Sequence, residues 1–509
     1  MFSKVYGAAV YGIDGSLVTA EADVSDGLPN FLLVGYLSSE VKEARERVRV
    51  SIKNAGYRLP VKKITINLSP ADRRKEGTGF DLPIAVAVLT AFGYVSQECL
   101  EDVIFAGELS LNGRVNAIKG ILPIILAAKN AGKKRCVIPY ANAGEGKLVS
   151  GITVIGVSSL KETIDYLNGK EITHPVRAKK KRAGSKKEEQ MDFSEVIGQE
   201  TVKRAVEIAV AGMHNILIIG PPGAGKSMIA SRIPTIMPRL SEKEQMELAK
   251  VYSVAGMLEE GEFPDRRPFR APHHTITQTA LTGGGRVPIP GEISLATKGV
   301  LFLDEFPEFD RRTLEVLRQP LEDRKIHVVR LQASYYYPAD FMLVAAMNPC
   351  QCGYYPDRNR CNCSMNMIRN YLGKISRPLL DRIDMCVEAS AMQYAQLTAN
   401  EKGESSDTIR ERIELARKIQ RERYKREGIW CNAMLGAKMI DKYCALDEKC
   451  REYLKVMYTK YDWSARVYHR ILKTARTIAD LEGRESIQLP HLQEAVCYRG
   501  SDLQYLKEE

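Results

Sequence analysis

Three short stretches carry side chains whose types and spacing suit chemistry on a phosphate ester. Gly220-Pro221-Pro222-Gly223-Ala224-Gly225-Lys226-Ser227, followed by Met228, fits the pattern G-x-x-x-x-G-K-[ST]. Its glycines let backbone N–H groups wrap a phosphate, and a following helix would add the positive end of its dipole. Lys226 suits the β- and γ-phosphates, and the Ser227 hydroxyl suits Mg²⁺. Val300-Leu-Phe-Leu-Asp304-Glu305 is an apolar run ending in two carboxylates. Asp304 suits a Mg²⁺–water ligand, and Glu305 suits the group that polarises the attacking water. Ala345-Ala-Met-Asn348 ends another apolar run in an amide able to position that water.

A separate constellation suits a metal. Cys350-Gln-Cys352 and Cys361-Asn-Cys363 concentrate four of the eleven cysteines in one short stretch, with Gly353 to Asp357 reading as turn between the pairs. Four thiolates can close a tetrahedral Zn²⁺ site, although C-x-x-C pairs are the commoner spacing. The expectation is structural zinc, bracing the segment after Asn348.

These residues need elements to hold them. Asn215–Ile219, Val300–Leu303 and Phe341–Ala346 are short apolar runs separated by helical patterns, as expected of parallel strands buried on both faces. The phosphate loop would follow the first of these strands and open a helix. Carboxylates at the end of the second would lie at the edge where open α/β sheets bind ligands. Beyond about Asp407 the pattern is helical almost throughout. Ahead of residue 176, β-type runs such as Ile64–Leu68 and Cys136–Pro139 alternate with helical stretches such as Leu122–Asn130.

With 509 residues, 44% hydrophobic and 27% charged, the chain reads as a multidomain globular protein, not a disordered, collagen-like or disulfide-dense one. Its longest apolar run, Leu82 to Val95, is too short to span a bilayer and contains Pro83. The start lacks a signal-peptide pattern, so the expectation is a cytoplasmic protein with no membrane association and mostly reduced thiols. The net charge of +11 is weak evidence for a nucleic-acid partner. Arg177, Lys179, Lys180, Lys181, Arg182, Lys186 and Lys187 supply seven of the positive charges in one acid-free stretch that reads as a solvated linker.

The order of motifs resembles AAA+ ATPases: phosphate loop, strand ending in Asp-Glu, strand ending in Asn, Leu379-Leu-Asp-Arg382-Ile-Asp384 and Ser464-Ala-Arg466. Other stretches are more specific: Arg267-Pro-Phe-Arg-Ala-Pro-His-His274, Gly283-Gly-Gly285, Pro290-Gly-Glu-Ile-Ser294, Leu317-Arg-Gln-Pro-Leu-Glu-Asp323 and Ala346-Met-Asn-Pro349. Together they resemble the magnesium-chelatase-like ComM/YifB family over essentially the whole chain.

That resemblance implies a P-loop AAA+ parallel-sheet core with a C-terminal α-helical lid, an ATP and Mg²⁺ requirement, and a homo-hexameric ring. It also implies ATP-driven branch migration of DNA during uptake and recombination, with recombination proteins as candidate partners. Gly198 and Gln199 would mark the start of the core near the adenine. Asn348 would be sensor 1, Arg382 a finger reaching the neighbouring subunit's nucleotide, and Arg466 sensor 2 acting in cis. Thr275–Ser294 and Arg324–Ala339 would be insertions facing the ring's pore, with Lys325 and Arg330 as DNA-backbone contacts. For His273 and His274 a structural or subunit-interface role is preferred to metal binding.

The first part of the chain resembles the Lon-protease domain, an α+β fold, through Gly107-Glu-Leu-Ser-Leu-Asn-Gly-Arg114 and Lys119–Gly132. Gly79 stands where the nucleophilic Ser would be and Leu122 where its Lys would be, so the dyad is missing and no proteolysis is expected. The expected division is residues 1–175 Lon-like, 176–190 linker, 191–395 AAA+ core and 396–509 lid. A regulatory ATPase that remodels a chelatase partner protein is the alternative, although no D-x-S-x-S metal-adhesion motif occurs in the chain.

Overall fold

The computed structural model describes residues 1–171, 191–258, 262–285, 288–330, 334–391 and 403–506; side chains are described as far as residue 499. The basic linker and the expected core–lid boundary at 395–396 lie outside these residues. The fold is mixed α/β with parallel strands, followed by a helical C-terminal region.

The N-terminal part is built on a seven-stranded sheet. Phe2–Tyr11 and Asp14–Ser25 pair antiparallel around a tight turn at Gly12 and Ile13, where Gly12 takes φ +65°. Lys63–Ser69 extends the sheet antiparallel on one side, and Val103–Phe105, Arg135–Pro139 and Thr153–Val157 extend it in parallel on the other. The apolar run around Pro83 forms the helix Asp81–Ala91, in which every residue is buried. A helix apolar on all faces belongs inside a core. Its one charge, Asp81, is fully buried against Arg47 at 2.8 Å and also accepts the Leu109 N–H at 3.2 Å.

The second sheet has five strands, all parallel, in the order Phe269–Arg270, Val300–Leu303, Met342–Met347, Ile216–Ile219, Met385–Glu388. The three central strands are buried along their whole length, which is why they read as unbroken apolar runs. The strand that feeds the phosphate loop is therefore flanked on both sides. On one face of the sheet a single apolar core joins Glu200–Gly212 to the C-terminal helices Ser406–Arg423, Ala465–Leu481 and Leu489–Leu506.

The two sheet-based parts touch through specific contacts. Helix Glu242–Ala255 packs on helix Ile121–Asn130. The Ser253 carbonyl accepts the Gly120 N–H at 3.0 Å, and Ser253 Oγ accepts the Leu122 N–H at 3.2 Å. Lys250 pairs with Asp14, and Tyr335 donates to Glu76 at 3.4 Å. Among the described residues no helix is long and apolar enough to cross a membrane.

Candidate functional site: a nucleotide cleft at the carboxyl edge of the parallel sheet

The loop after Ile216–Ile219 turns twice through positive φ, at Gly223 (+78°) and Gly225 (+80°), before helix Lys226–Ile236 begins. Glycine takes this conformation freely, whereas residues with a side chain adopt it rarely. The turns leave the loop and the first turn of the helix around a cleft of 390 Å³. Pro222 to Met228 line it, together with Asp304, Glu305, Met347 and Asn348.

Lys226 is buried, which lowers its pKa against the opposing pull of Asp304. Its ammonium donates to the Gly220 carbonyl at 2.7 Å, the Pro221 carbonyl at 2.9 Å and Asn348 Oδ1 at 3.0 Å. The cation thus bridges two strand ends at the mouth of the loop. Ser227 Oγ donates to Asp304 Oδ2 at 2.6 Å, so a hydroxyl and a carboxylate face each other where a phosphate-bound cation would sit. Backbone donors, a fixed ammonium and a hydroxyl–carboxylate pair are the donor set that a nucleotide triphosphate with Mg²⁺ requires. The residues present fit ATP and Mg²⁺.

Glu305 takes φ +50°, an uncommon conformation for a non-glycine residue that persists only where its surroundings enforce it. Its N–H donates to Asp304 Oδ1 at 2.9 Å, and its carboxylate is 59% exposed at the cleft. His274 Nδ1 lies 3.3 Å from Glu305 Oε2, and the His273 ring lies over His274 with centroids 4.1 Å apart. No local pattern joins the two partners of this contact, which stand 31 positions apart in the sequence. Its one available signal was a histidine pair just beyond a strand of the same sheet.

The two arginines are placed differently. Arg382, after the short helix Arg377–Leu380, is buried; it donates to the carbonyls of Arg318 (2.9 Å) and Pro378 (2.6 Å) and pairs with Glu322 at 2.7 Å. Neither Arg382 nor Arg466 lines the cleft of the single chain. Arg466 is exposed in the first turn of Ala465–Leu481. One turn further, Arg470 pairs with buried Asp384 and donates to the Arg382 carbonyl, a connection the sequence did not suggest. Gln199 bonds the backbones of Ala224 and Ser390, tying the start of the core to the phosphate loop.

Lys325 and Arg330 are exposed on the hairpin Lys325–Val329/Ser334–Pro338, where His327 stacks on exposed Tyr336 at 4.4 Å. The base of the hairpin is fixed by buried Asp340, which holds Lys298 at 2.7 Å and also Arg324. The cysteines converge as well: the four sulfur atoms of Cys350, Cys352, Cys361 and Cys363 all lie within 4.8 Å of one another. In the N-terminal part, Gly79 and Leu122 offer neither nucleophile nor base. A Cβ on Gly79 would meet Ile118 Cδ1 at 3.2 Å, and the Leu122 N–H is taken up by Ser253 and Glu145.

Comparison with known proteins decides the lineage. The family models described as magnesium chelatase subunit ChlI match residues 192–397 and 20–142, and that for the ChlI C-terminal region matches 403–499. The chain is 43% identical over 502 residues to the competence protein ComM of Haemophilus influenzae, covering 97% of each. It is 42% identical to YifB of Escherichia coli over 502 residues, covering 98% of this chain and 97% of that one. The chain belongs to the magnesium-chelatase-like ComM/YifB family. Within this family of AAA+ proteins, ATP and Mg²⁺ are the implied ligands, matching the donors of the cleft. Lon protease 2 of Bacillus subtilis is 30% identical over 181 residues, about a third of each chain, which gives the Lon-like likeness a narrower reach.

Proposed function

We propose that this protein is an ATP-driven motor that remodels branched DNA, assembled as a homo-hexameric ring in the cytoplasm. The observation that carries ATP hydrolysis is the joint geometry of Lys226, Ser227, Asp304, Glu305 and Asn348 around one cleft. When bound, ATP·Mg²⁺ supplies the phosphoryl group and the cation that neutralises its charge. Lys226 holds the phosphates, Ser227 and Asp304 hold the cation, Asn348 orients water, and Glu305 accepts its proton.

DNA as the substrate is supported by the exposed hairpin. Lys325 and Arg330 offer phosphate contacts and the His327–Tyr336 stack offers a platform for a base, the pairing used on single strands. The competence role in the name of the Haemophilus relative supports a setting in DNA uptake. On this reading residues 1–175 form a non-proteolytic scaffold, 176–190 a linker, 191–395 the motor core and 396–509 the lid. Arg382 acts on the neighbouring subunit's nucleotide, and Arg466 acts on its own. Steady-state hydrolysis with and without a forked DNA is the test. Stimulation that is lost when Lys325 and Arg330 become alanine supports the reading. Turnover indifferent to every DNA, single or branched, contradicts it and favours a protein substrate.

A further inference from the structure

Behind the nucleotide cleft, the chain between Asn348 and helix Met365–Leu372 runs from residue 349 to 364 without a regular helix or strand. Three of its four thiols are buried, and none is bonded to another as a disulfide. Cys350 Sγ lies 3.3 Å from Cys352 Sγ and 3.7 Å from Cys361 Sγ, and Cys352 Sγ lies 3.5 Å from Cys361 Sγ. A tetrahedron of thiolates about 2.3 Å from Zn²⁺ has edges of about 3.8 Å, so modest adjustment brings these sulfurs onto it. Four sulfur donors in this geometry select zinc or iron, and a closed four-ligand set is the structural type. A loaded site carries two net negative charges. Arg358 and Arg360 stand beside it, stacked over Tyr355 and Tyr354, with Arg358 donating to the Cys363 carbonyl at 3.0 Å.

This cluster is bound to the cleft at three points. Cys350 is separated from Asn348 by Pro349 alone, and Asn348 Oδ1 holds Lys226 at 3.0 Å. Tyr371, on the helix that follows Cys363, has its hydroxyl within reach of the Asn348 backbone. Gly353, at φ +87°, lies directly against the phosphate loop: a Cβ there would fall 2.5 Å from Pro222 Cδ.

We propose that Cys350, Cys352, Cys361 and Cys363 form a structural zinc site that clamps Asn348 and the phosphate loop together, so that metal loading sets the competence of the nucleotide cleft. The clamp rests on the ATPase reading above, whereas the metal site does not. Zinc organises a segment with no regular structure of its own, and that segment in turn seats Gly353 under Pro222.

The test uses the full chain purified with reductant and no added metal. Elemental analysis is expected to give about one zinc per chain. A mercurial thiol reagent, with released zinc read by a chelating dye, is expected to lower ATP turnover about tenfold or more. Thiol rescue plus zinc restores it. Gly353→Val keeps every ligand, so it is expected to retain zinc while losing turnover to a similar extent. Absence of zinc, iron in its place, unchanged turnover after zinc release, or full turnover in Gly353→Val each overturns the proposal. A zinc-loaded wild-type chain that hydrolyses no ATP contradicts the ATPase reading and the clamp together, while the elemental count still decides the metal site.

Discussion

His274 and Glu305 meet at 3.3 Å across the cleft mouth, and the contact gives the carboxylate a second anchor besides its own strained backbone. A general base loses its function when it becomes an amide, so with Glu305 in the proposed role Glu305→Gln is expected to cut turnover about 10²–10⁴-fold while nucleotide stays bound. Lys226→Ala should instead abolish binding, as a fluorescent ATP analogue would show. On the proposed reading His274 would act through Glu305 as a positioning residue. His274→Ala is expected to lower kcat about tenfold with KM little changed, and His274→Asn to recover part of the loss. Equal losses in kcat and nucleotide affinity would assign His274 to binding. Arg382 is tied to Glu322 within its own chain, so its action on a neighbouring subunit requires that pair to open. Arg382→Ala should leave nucleotide binding intact and reduce turnover by as much as ~10³-fold. That loss should be complemented in rings mixed with Glu305→Gln subunits, whose arginine is intact.

Elements carry the stability predictions. His214 sits at the foot of the strand Ile216–Ile219, fully buried and bonded to Thr477 of helix Ala465–Leu481 at 2.7 Å. Burial pushes its pKa down to about 4, so the folded protein resists a proton that the unfolded chain takes up near its ordinary value of 6.5. Stability from this group is fully present above pH 6.5 and is lost as the pH falls toward 4, by about 3 kcal/mol in all. Denaturant melts of wild type and His214→Asn between pH 7.5 and 4.5 should diverge accordingly; parallel pH profiles would contradict this. Asp340 holds the foot of the hairpin through Arg324 and through Lys298, which also pairs with Glu247 at 3.1 Å. Asp340→Ala is expected to cost about 3–5 kcal/mol. The strands were readable in the sequence because parallel strands buried on both faces leave unbroken apolar runs, and the phosphate loop because its glycines are obligatory. The contacts of His274 with Glu305, Arg470 with Asp384 and Gly353 with Pro222 were not readable. Each joins segments distant in sequence whose approach is set by strand order, and no local pattern encodes that order.

At the scale of the whole molecule, the Lon-like part is fastened to the part that carries the phosphate loop through helix Ile121–Asn130. Leu122, where the resemblance to Lon implies a lysine, has its N–H held by Ser253 of helix Glu242–Ala255, which packs on helix Ile121–Asn130. Restoring both dyad residues, Gly79→Ser with Leu122→Lys, is therefore expected to yield no peptidase activity on a fluorogenic casein. Measurable cleavage would contradict this. The same junction brings Tyr335 of the exposed hairpin to Glu76 and the hairpin turn at Gly12 against the Tyr336 backbone, so the N-terminal part also supports the element proposed to meet DNA. Strand exchange on a labelled branched junction with ATP, comparing wild type with Glu305→Gln, tests the motor most directly. The account predicts that wild type resolves the junction and that the variant binds it without moving it. Vigorous ATP hydrolysis by a wild-type protein that neither binds nor moves any junction would contradict it.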